Sequence, residues 1–126
     1  MGGVNQAPSG PTNQIPTNAI ALSGASVNVT GNNLSAAVGA SGGPSVWYKW
    51  TATKSGPVTL STSGSGFDTI LAAYTEAMVS KASNDNARSG VRWSQTSFVA
   101  DAGTTYMIEV SGARGSSGRF KLNLRQ

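Results

Sequence analysis

Ser45-Val46-Trp47-Tyr48-Lys49-Trp50-Thr51 places Val46, Tyr48 and Trp50 on one side of an extended strand and Trp47, Lys49 and Thr51 on the other. The same period of two recurs on both sides of this run. Upstream, residues 25–30 carry Val27 and Val29 between small polar residues. Downstream, residues 57–62 give Val58 and Leu60, while residues 69–75 are more continuously apolar, as expected of a strand covered on both faces. Residues 94–100 turn Thr96, Phe98 and Ala100 inward. Residues 105–110 turn Tyr106, Ile108 and Val110 inward, with Met107 and Glu109 facing out. Phe120, Leu122 and Leu124 then alternate with Lys121, Asn123 and Arg125. Ala102-Gly103-Thr104 and Arg114-Gly115-Ser116-Ser117-Gly118 read as hairpin connections, with Gly where positive φ is needed. Residues 72–83 hold helix-forming Ala, Glu, Met and Lys, yet only a short 3₁₀ turn near Glu76–Val79 is expected there. The sum predicts an all-β, two-sheet antiparallel β-sandwich of about eight to nine short strands.

Composition agrees. The chain has 126 residues, 16 Gly, 11% charged residues and no Cys, enough length to bury a core without disulfides. The first 18 residues hold Pro8, Pro11 and Pro16 among Gly, Asn, Gln, Ser and Thr. They read as an extended arm or linker, leaving residues 19–126 as the sandwich domain. No apolar run approaches the roughly 20 residues that span a bilayer, so no membrane partner is expected. Met1-Gly2-Gly3 leads into polar sequence rather than an apolar leader, which suits a mature domain or delivery by another route, for instance within a virion.

Net charge is +4, from nine basic and five acidic residues. The basic residues are scattered, without a run or an aromatic-interleaved stripe, so nucleic acid is not the expected partner. Arg114, Arg119, Lys121 and Arg125 make the C-terminal end the most basic part, which suits protection of edge strands. A serine nucleophile needs a base, the chain has no His, and Glu76, Asp101 and Glu109 show no convergent spacing. The chain is not expected to be an enzyme.

Two of the five acidic residues lie in turn-like signatures, Gly66-Phe67-Asp68-Thr69 and Asn84-Asp85-Asn86. Asp68, Asn84, Asp85 and Asn86 could supply part of a calcium shell if the two loops meet, since calcium takes roughly six to eight oxygens. The alternative is turn chemistry, with Asp68 capping a turn and residues 84–86 forming Asx turns. Phe67 is expected to plug the core beside them. Tyr48 and Trp50 are assigned to the core, whereas Trp47 and Trp93 are the aromatics expected to reach a ligand from a partly exposed position.

The ordered set of these runs resembles the bacterial pre-peptidase C-terminal domain family. Residues 45–52, Ser55-Gly56-Pro57-Val58-Thr59, residues 67–74, Ala82-Ser83-Asn84-Asp85-Asn86, the predicted penultimate hairpin at residues 98–106 and the closing strand at residues 118–124 carry the likeness. It covers roughly residues 18–125. It implies a jelly-roll-like sandwich serving as a non-catalytic accessory domain of secreted proteases and other surface proteins, some of which bind calcium or an insoluble polymer such as collagen. Relatives often begin with an Asn-Asp pair, carry a Glu between the second and third strands, and read Asn-Asp-Asp where this chain has Asn84-Asp85-Asn86. Here residues 13–16 and 34–38 hold no carboxylate. The expected function is therefore an extracellular or cell-surface module recognising a protein or polysaccharide polymer through loops and an aromatic sheet face. The alternative is a structural protein, a virion decoration or surface-fibre subunit, that contacts neighbouring copies through its arm and edge strands.

Overall fold

Nine strands form in the computed structural model, which describes residues 11–86 and 90–126. They are β1 (Ile20–Leu22), β2 (Ser26–Asn32), β3 (Ser45–Thr51), β4 (Gly56–Ser61), β5 (Thr69–Thr75), β6 (Ser80–Asn84), β7 (Gln95–Ala100), β8 (Thr105–Gly112) and β9 (Arg119–Arg125). One sheet has the order β2-β9-β4-β7 and the other β1-β3-β8-β5-β6. The two-sheet sandwich is the expected one. Every pairing is antiparallel except β1 with β3, which run parallel with Ile20 opposite Tyr48.

The alternation read from sequence decides what lies between the sheets. Val58, Leu60, Phe120, Leu122 and Leu124 of one sheet are fully buried against Trp50, Leu71, Ile108 and Val110 of the other. Each such side chain contributes about 1.5–3 kcal/mol relative to exposure. Truncating Leu122 to Ala would remove about 2–5 kcal/mol. Phe98 and Tyr106 pack with ring centroids 4.9 Å apart. Two of the buried aromatics have their polar ends satisfied, since Trp50 Nε1 donates to the Gly24 carbonyl at 2.8 Å and Tyr106 Oη accepts from Asp101 N at 2.8 Å, whereas the buried Trp47 Nε1 has no partner among the described residues. Phe67 is buried in the same core, as expected.

Three local expectations need correction. The segments at residues 102–104 and 114–118 are not hairpins, because each carries the chain from one sheet to the other: β7 to β8, then β8 to β9. Only β5 and β6 are sequence neighbours paired side by side. The 3₁₀ turn expected near Glu76–Val79 is instead the tip of that hairpin, and the 3₁₀ turns lie at Pro16–Asn18 and Ala113–Gly115. Residues 80–84, where the sequence pattern offers no strand, form β6. Ser80-Lys81-Ala82-Ser83-Asn84 has no apolar alternation, and its pairing comes from β5 rather than from its own pattern. The first ten residues of the predicted arm lie outside the described residues. Residues 11–18 lie against β3, where Trp47 N donates to the Asn13 carbonyl at 2.8 Å and Asn13 Nδ2 donates to the Trp47 carbonyl at 2.9 Å.

Candidate functional site

Because Val46, Tyr48 and Trp50 take the core, β3 turns Ser45, Trp47 and Lys49 to the outer face of the five-stranded sheet. The same alternation places Met107, Glu109 and Ser111 there from β8, and Ala72 and Tyr74 from β5. Register sets Trp47 opposite Glu109, and Glu109 opposite Ala72. Alternation alone predicts that such a face meets solvent, with Met107 and Glu109 outward and Trp47 partly exposed. It does not. Trp47 is 2% exposed and Glu109 fully buried, with Ser45, Ala72, Met107 and Ser111 buried around them.

The cover comes from the loop before β3. Ser45 N donates to the Ala37 carbonyl, Gly39 N to Gly43 O and Gly42 N to Gly39 O, each at 3.0 Å, which folds residues 37–45 into a tight hairpin. Glycine is required on its inner side. A Cβ at Gly39 would strike Ser45 Oγ and lie 2.6 Å from Glu109 Oε2, and one at Gly43 would strike the Gly112 carbonyl. The arm joins the cover through Gln14 Oε1, which accepts from Ala37 N at 2.8 Å.

Beneath this hairpin the Glu109 carboxylate receives four donors. Ser41 Oγ and Tyr74 Oη donate to Oε1 at 2.6 and 2.8 Å, while Ser45 Oγ and Ser41 N donate to Oε2 at 2.6 and 3.1 Å. A buried charge is tolerated when its lone pairs are filled this way, and hydrogen bonds to an ionised acceptor are about twice as strong as neutral ones. No cation pairs with it among the described residues. The Tyr74 hydroxyl answers to the arrangement, its pKa pushed up to about 12 by burial first, then by the hydrogen bond to Glu109 and its charge. The Tyr74 ring packs against Trp47 with centroids 5.6 Å apart. A serine hydroxyl on a carboxylate is the geometry of an activated nucleophile. Here Ser45 and Glu109 are both sealed from solvent, so the arrangement locks a loop and reaches no substrate.

What stays open on this face is a groove of about 260 Å³ lined by Pro16, Thr17, Lys49, Glu76, Met78 and Met107. Met107 is buried, Lys49 and Glu76 are exposed, and Met78 forms part of the rim. Met78 occupies the left-handed backbone region with φ of 65°, at the tip of the β5–β6 hairpin. Its N–H donates to the Thr75 carbonyl at 2.9 Å, and Thr75 N donates to the Val79 carbonyl at 2.8 Å. Glycine is the usual occupant of such a position.

The other predicted cluster lies where β5 begins and β6 ends, and the pairing of these two strands brings Asp68 and residues 84–86 together. With its amide nitrogen toward them, Asn86 donates to Asp68 Oδ1 at 2.9 Å and to the Asp85 carbonyl at 2.7 Å. Ser94 Oγ lies 2.5 Å from the Asp85 carbonyl and 2.7 Å from the Thr69 carbonyl, and Ser94 N donates to Thr62 Oγ1 at 2.8 Å. Asn84 is turned away, its Oδ1 accepting from Gln95 N at 3.1 Å, and the Asp85 side chain is exposed. Asp68, Asn86 and the Asp85 carbonyl therefore meet, whereas the Asn84 side chain serves the adjacent strand. Trp93, next to Ser94, is half-buried.

Sequence reasoning missed the Glu109 network and Met78. The available signals were a lone Glu at a predicted outward position of a strand, and a Gly39-Ala40-Ser41-Gly42-Gly43 turn just upstream of Ser45.

No family model and no curated protein sequence matches this chain. Solved structures do. The pre-peptidase C-terminal domain of a collagenase from Bacillus anthracis superimposes with a TM-score of 0.62 at 14% identity, covering 85% of this chain and 94% of that one. PliG of Aeromonas hydrophila, a periplasmic inhibitor of g-type lysozyme, superimposes with a TM-score of 0.57 at 15% identity, covering 84% of this chain and 95% of that one. At these identities the likeness concerns the backbone. This chain has the fold of a pre-peptidase C-terminal domain.

Proposed function

We propose that this chain is a non-catalytic binding or accessory module of a secreted or surface-associated protein, and that it recognises a protein, fibrous or globular, through the groove on its five-stranded sheet. The groove is the observation that carries this reading. Two methionines give it an adaptable apolar lining, and Lys49 and Glu76 offer one charge of each sign. That combination suits an apolar side chain on an extended polypeptide better than a sugar ring, which favours stacking on a flat aromatic. Trp47, the aromatic that alternation offers for that role, is enclosed by the chain itself. The two structural likenesses, to a domain of a collagenase and to a protein inhibitor of lysozyme, support a non-catalytic, protein-facing role outside the cytoplasm.

Binding of fluorescently labelled protein to fibrillar collagen, g-type lysozyme and purified peptidoglycan tests the reading. Met78→Gly removes the rim without loosening the fold. Saturable binding to one of the two proteins, weakened at least about tenfold by Met78→Gly, is the expected result. Binding only to peptidoglycan, or equal binding by the variant, would overturn it.

We propose further that the corner of Asp68, Asp85 and Asn86 is where calcium would join the fold. Asp68 Oδ1 and the Asp85 carbonyl already converge on the Asn86 amide. A half-turn of that amide would add its one oxygen as the third ligand toward the roughly six to eight that calcium takes.

The alternative, a structural subunit that contacts its neighbours through edge strands, is favoured by one feature, the open edge of β2.

A further inference from the structure

β2 pairs with β9 on one edge, and among the described residues no strand pairs with the other. Its hydrogen-bonding direction follows from the bonds at its two ends. Gln126 N donates to the Ala25 carbonyl and Asn33 N to the Gly118 carbonyl. Both pairs lie in the register that sets Arg125 opposite Ser26 and Arg119 opposite Asn32, so odd-numbered residues of β2 bond to β9. Ser26, Asn28, Thr30 and Asn32 therefore point their N–H and C=O groups outward. Their side chains are exposed as well.

Edge strands of this length are usually blunted by charge, proline, a bulge or a cover. β2 has none of these: Ser26-Val27-Asn28-Val29-Thr30-Gly31-Asn32 is uncharged, and its register with β9 is unbroken. The other edges differ. β1 is three residues long, β6 carries Lys81, and β7 runs beside β6, with Gln95 N held by Asn84.

We propose that two copies of this chain pair through β2 about a two-fold axis at Val29, making one continuous sheet of both four-stranded sheets. The outward-bonding residues 26, 28, 30 and 32 are symmetric about position 29. An antiparallel copy thus sets Asn28 against Thr30 of the partner copy and Ser26 against Asn32 of the partner copy. All four narrow pairs are satisfied at once, with two bonds exchanged in each. A shift of register by two residues in either direction leaves outward groups unpaired. On the solvent face the opposed side chains are all neutral and polar. On the core face Val29 meets its own copy, and Val27 comes opposite Gly31 of the partner copy, a position whose core side is covered by the Phe120 ring and the Tyr48 hydroxyl. Val27 and Val29 are only half-buried in the single chain, so pairing adds apolar cover. Arg119 and Lys121 lie one strand further in on β9, while the Arg125 guanidinium reaches onto β2 and donates to Asn28 Oδ1 at 3.1 Å, so pairing brings the arginines of the two copies toward the seam, where salt screens them. The occupant that fits this edge is therefore a second copy, and the inference stands independently of the groove.

Sedimentation equilibrium from about 1 µM to 1 mM tests it. The expected result is a reversible monomer–dimer equilibrium that strengthens with salt, because each copy carries net charge +4. In the double variant Asn28→Lys/Thr30→Lys, the introduced charges oppose like charges across the axis. It and the corresponding double Glu variant should each be monomeric, with unfolding temperatures near that of wild type. Mixing the two should restore a one-to-one dimer, which a merely structural defect would not do. A wild-type protein that stays monomeric to 1 mM would overturn the proposal and leave the edge to an extended segment of another protein. A double Lys variant that still dimerises would place the contact elsewhere, and unchanged mass in Met78→Gly separates this result from the groove assay.

Discussion

Glu109 is the most revealing residue to perturb, because a buried carboxylate without a cation must be held by its donors alone. Glu109→Ala would deprive three hydroxyls and the Ser41 N–H of their acceptor, with Ser45 buried and Ser41 and Tyr74 half-buried around the space it leaves. Each unsatisfied buried group costs about 1–3 kcal/mol, but water can reach the half-buried Ser41 and Tyr74 and Ser45 Oγ can turn to the Gly43 carbonyl, so with the cavity left behind the expected loss is about 3–4 kcal/mol rather than the sum. Unfolding temperature moves by about 3–6 °C per kcal/mol at this chain length, giving a fall of roughly 10–25 °C. Glu109→Gln keeps the shape and one acceptor oxygen. It replaces the short bonds from Ser41 and Ser45, both 2.6 Å, with neutral ones, and about 1–3 kcal/mol should be lost. Circular dichroism melts give the global cost. Hydrogen exchange at the Ser41 amide, together with Trp47 emission, reports whether the hairpin of residues 37–45 lifts before the rest unfolds. If Ala and Gln both melt within about 0.5 kcal/mol of wild type, with Ser41 still protected, the carboxylate is not what holds the cover down.

The Tyr74 phenol, raised to about 12 against an ordinary value of 10.0, stabilises the fold in its neutral form. That contribution should be complete below about pH 10 and be lost as pH climbs through about 12. Absorbance at about 295 nm should show late titration from both Tyr74 and the buried Tyr48, and Tyr74→Phe should remove one tyrosine's share of it; an unchanged curve in the variant would refute the assignment. Met78→Gly should raise the unfolding temperature by about 2–5 °C, since relief of about 1–2 kcal/mol of left-handed strain outweighs the packing of a partly exposed side chain; a lower temperature would mean the methionine is anchored. Thermal unfolding with millimolar calcium should show a saturable rise in wild type that Asp68→Ala abolishes. Insensitivity of both proteins would leave the Asp68–Asn86 contact as a hydrogen-bonded lock alone.

The core was legible because its residues obey strict alternation: Val58 with Leu60, Tyr106 with Ile108 and Val110, and Phe120 with Leu122 and Leu124 all face inward as read. The meeting of Asp68 with Asn86 stayed conditional in the sequence, because it depends on the pairing of β5 with β6, and β6 has no apolar alternation to announce it. The second buried layer was not legible. Trp47 and Glu109 hold outward positions of their strands, and whether such a position meets water depends on what crosses above it. The segment that crosses is a turn of Gly, Ala and Ser with no apolar signature, fastened through hydroxyls to a carboxylate. An alternation rule reads that Glu as a solvent residue. β6 escaped for the complementary reason, being polar and flat in pattern, with β5 alone to draw it into the sheet.

The position of β9 has a consequence for how the molecule comes to exist. This strand follows all the others in chain order yet lies inside its sheet, between β2 and β4. Phe120, Leu122 and Leu124 supply much of that sheet's share of the interior, so strands 26–32 and 56–61 have no common partner until residues 119–125 are present. Folding must then close long loops before the hydrophobic layer can offset their entropy, which makes it a late and slow event. Until residues 119–125 join the sheet, the inward faces of β2 and β4 stay uncovered, so this domain remains open to chaperones for as long as its closing strand is missing.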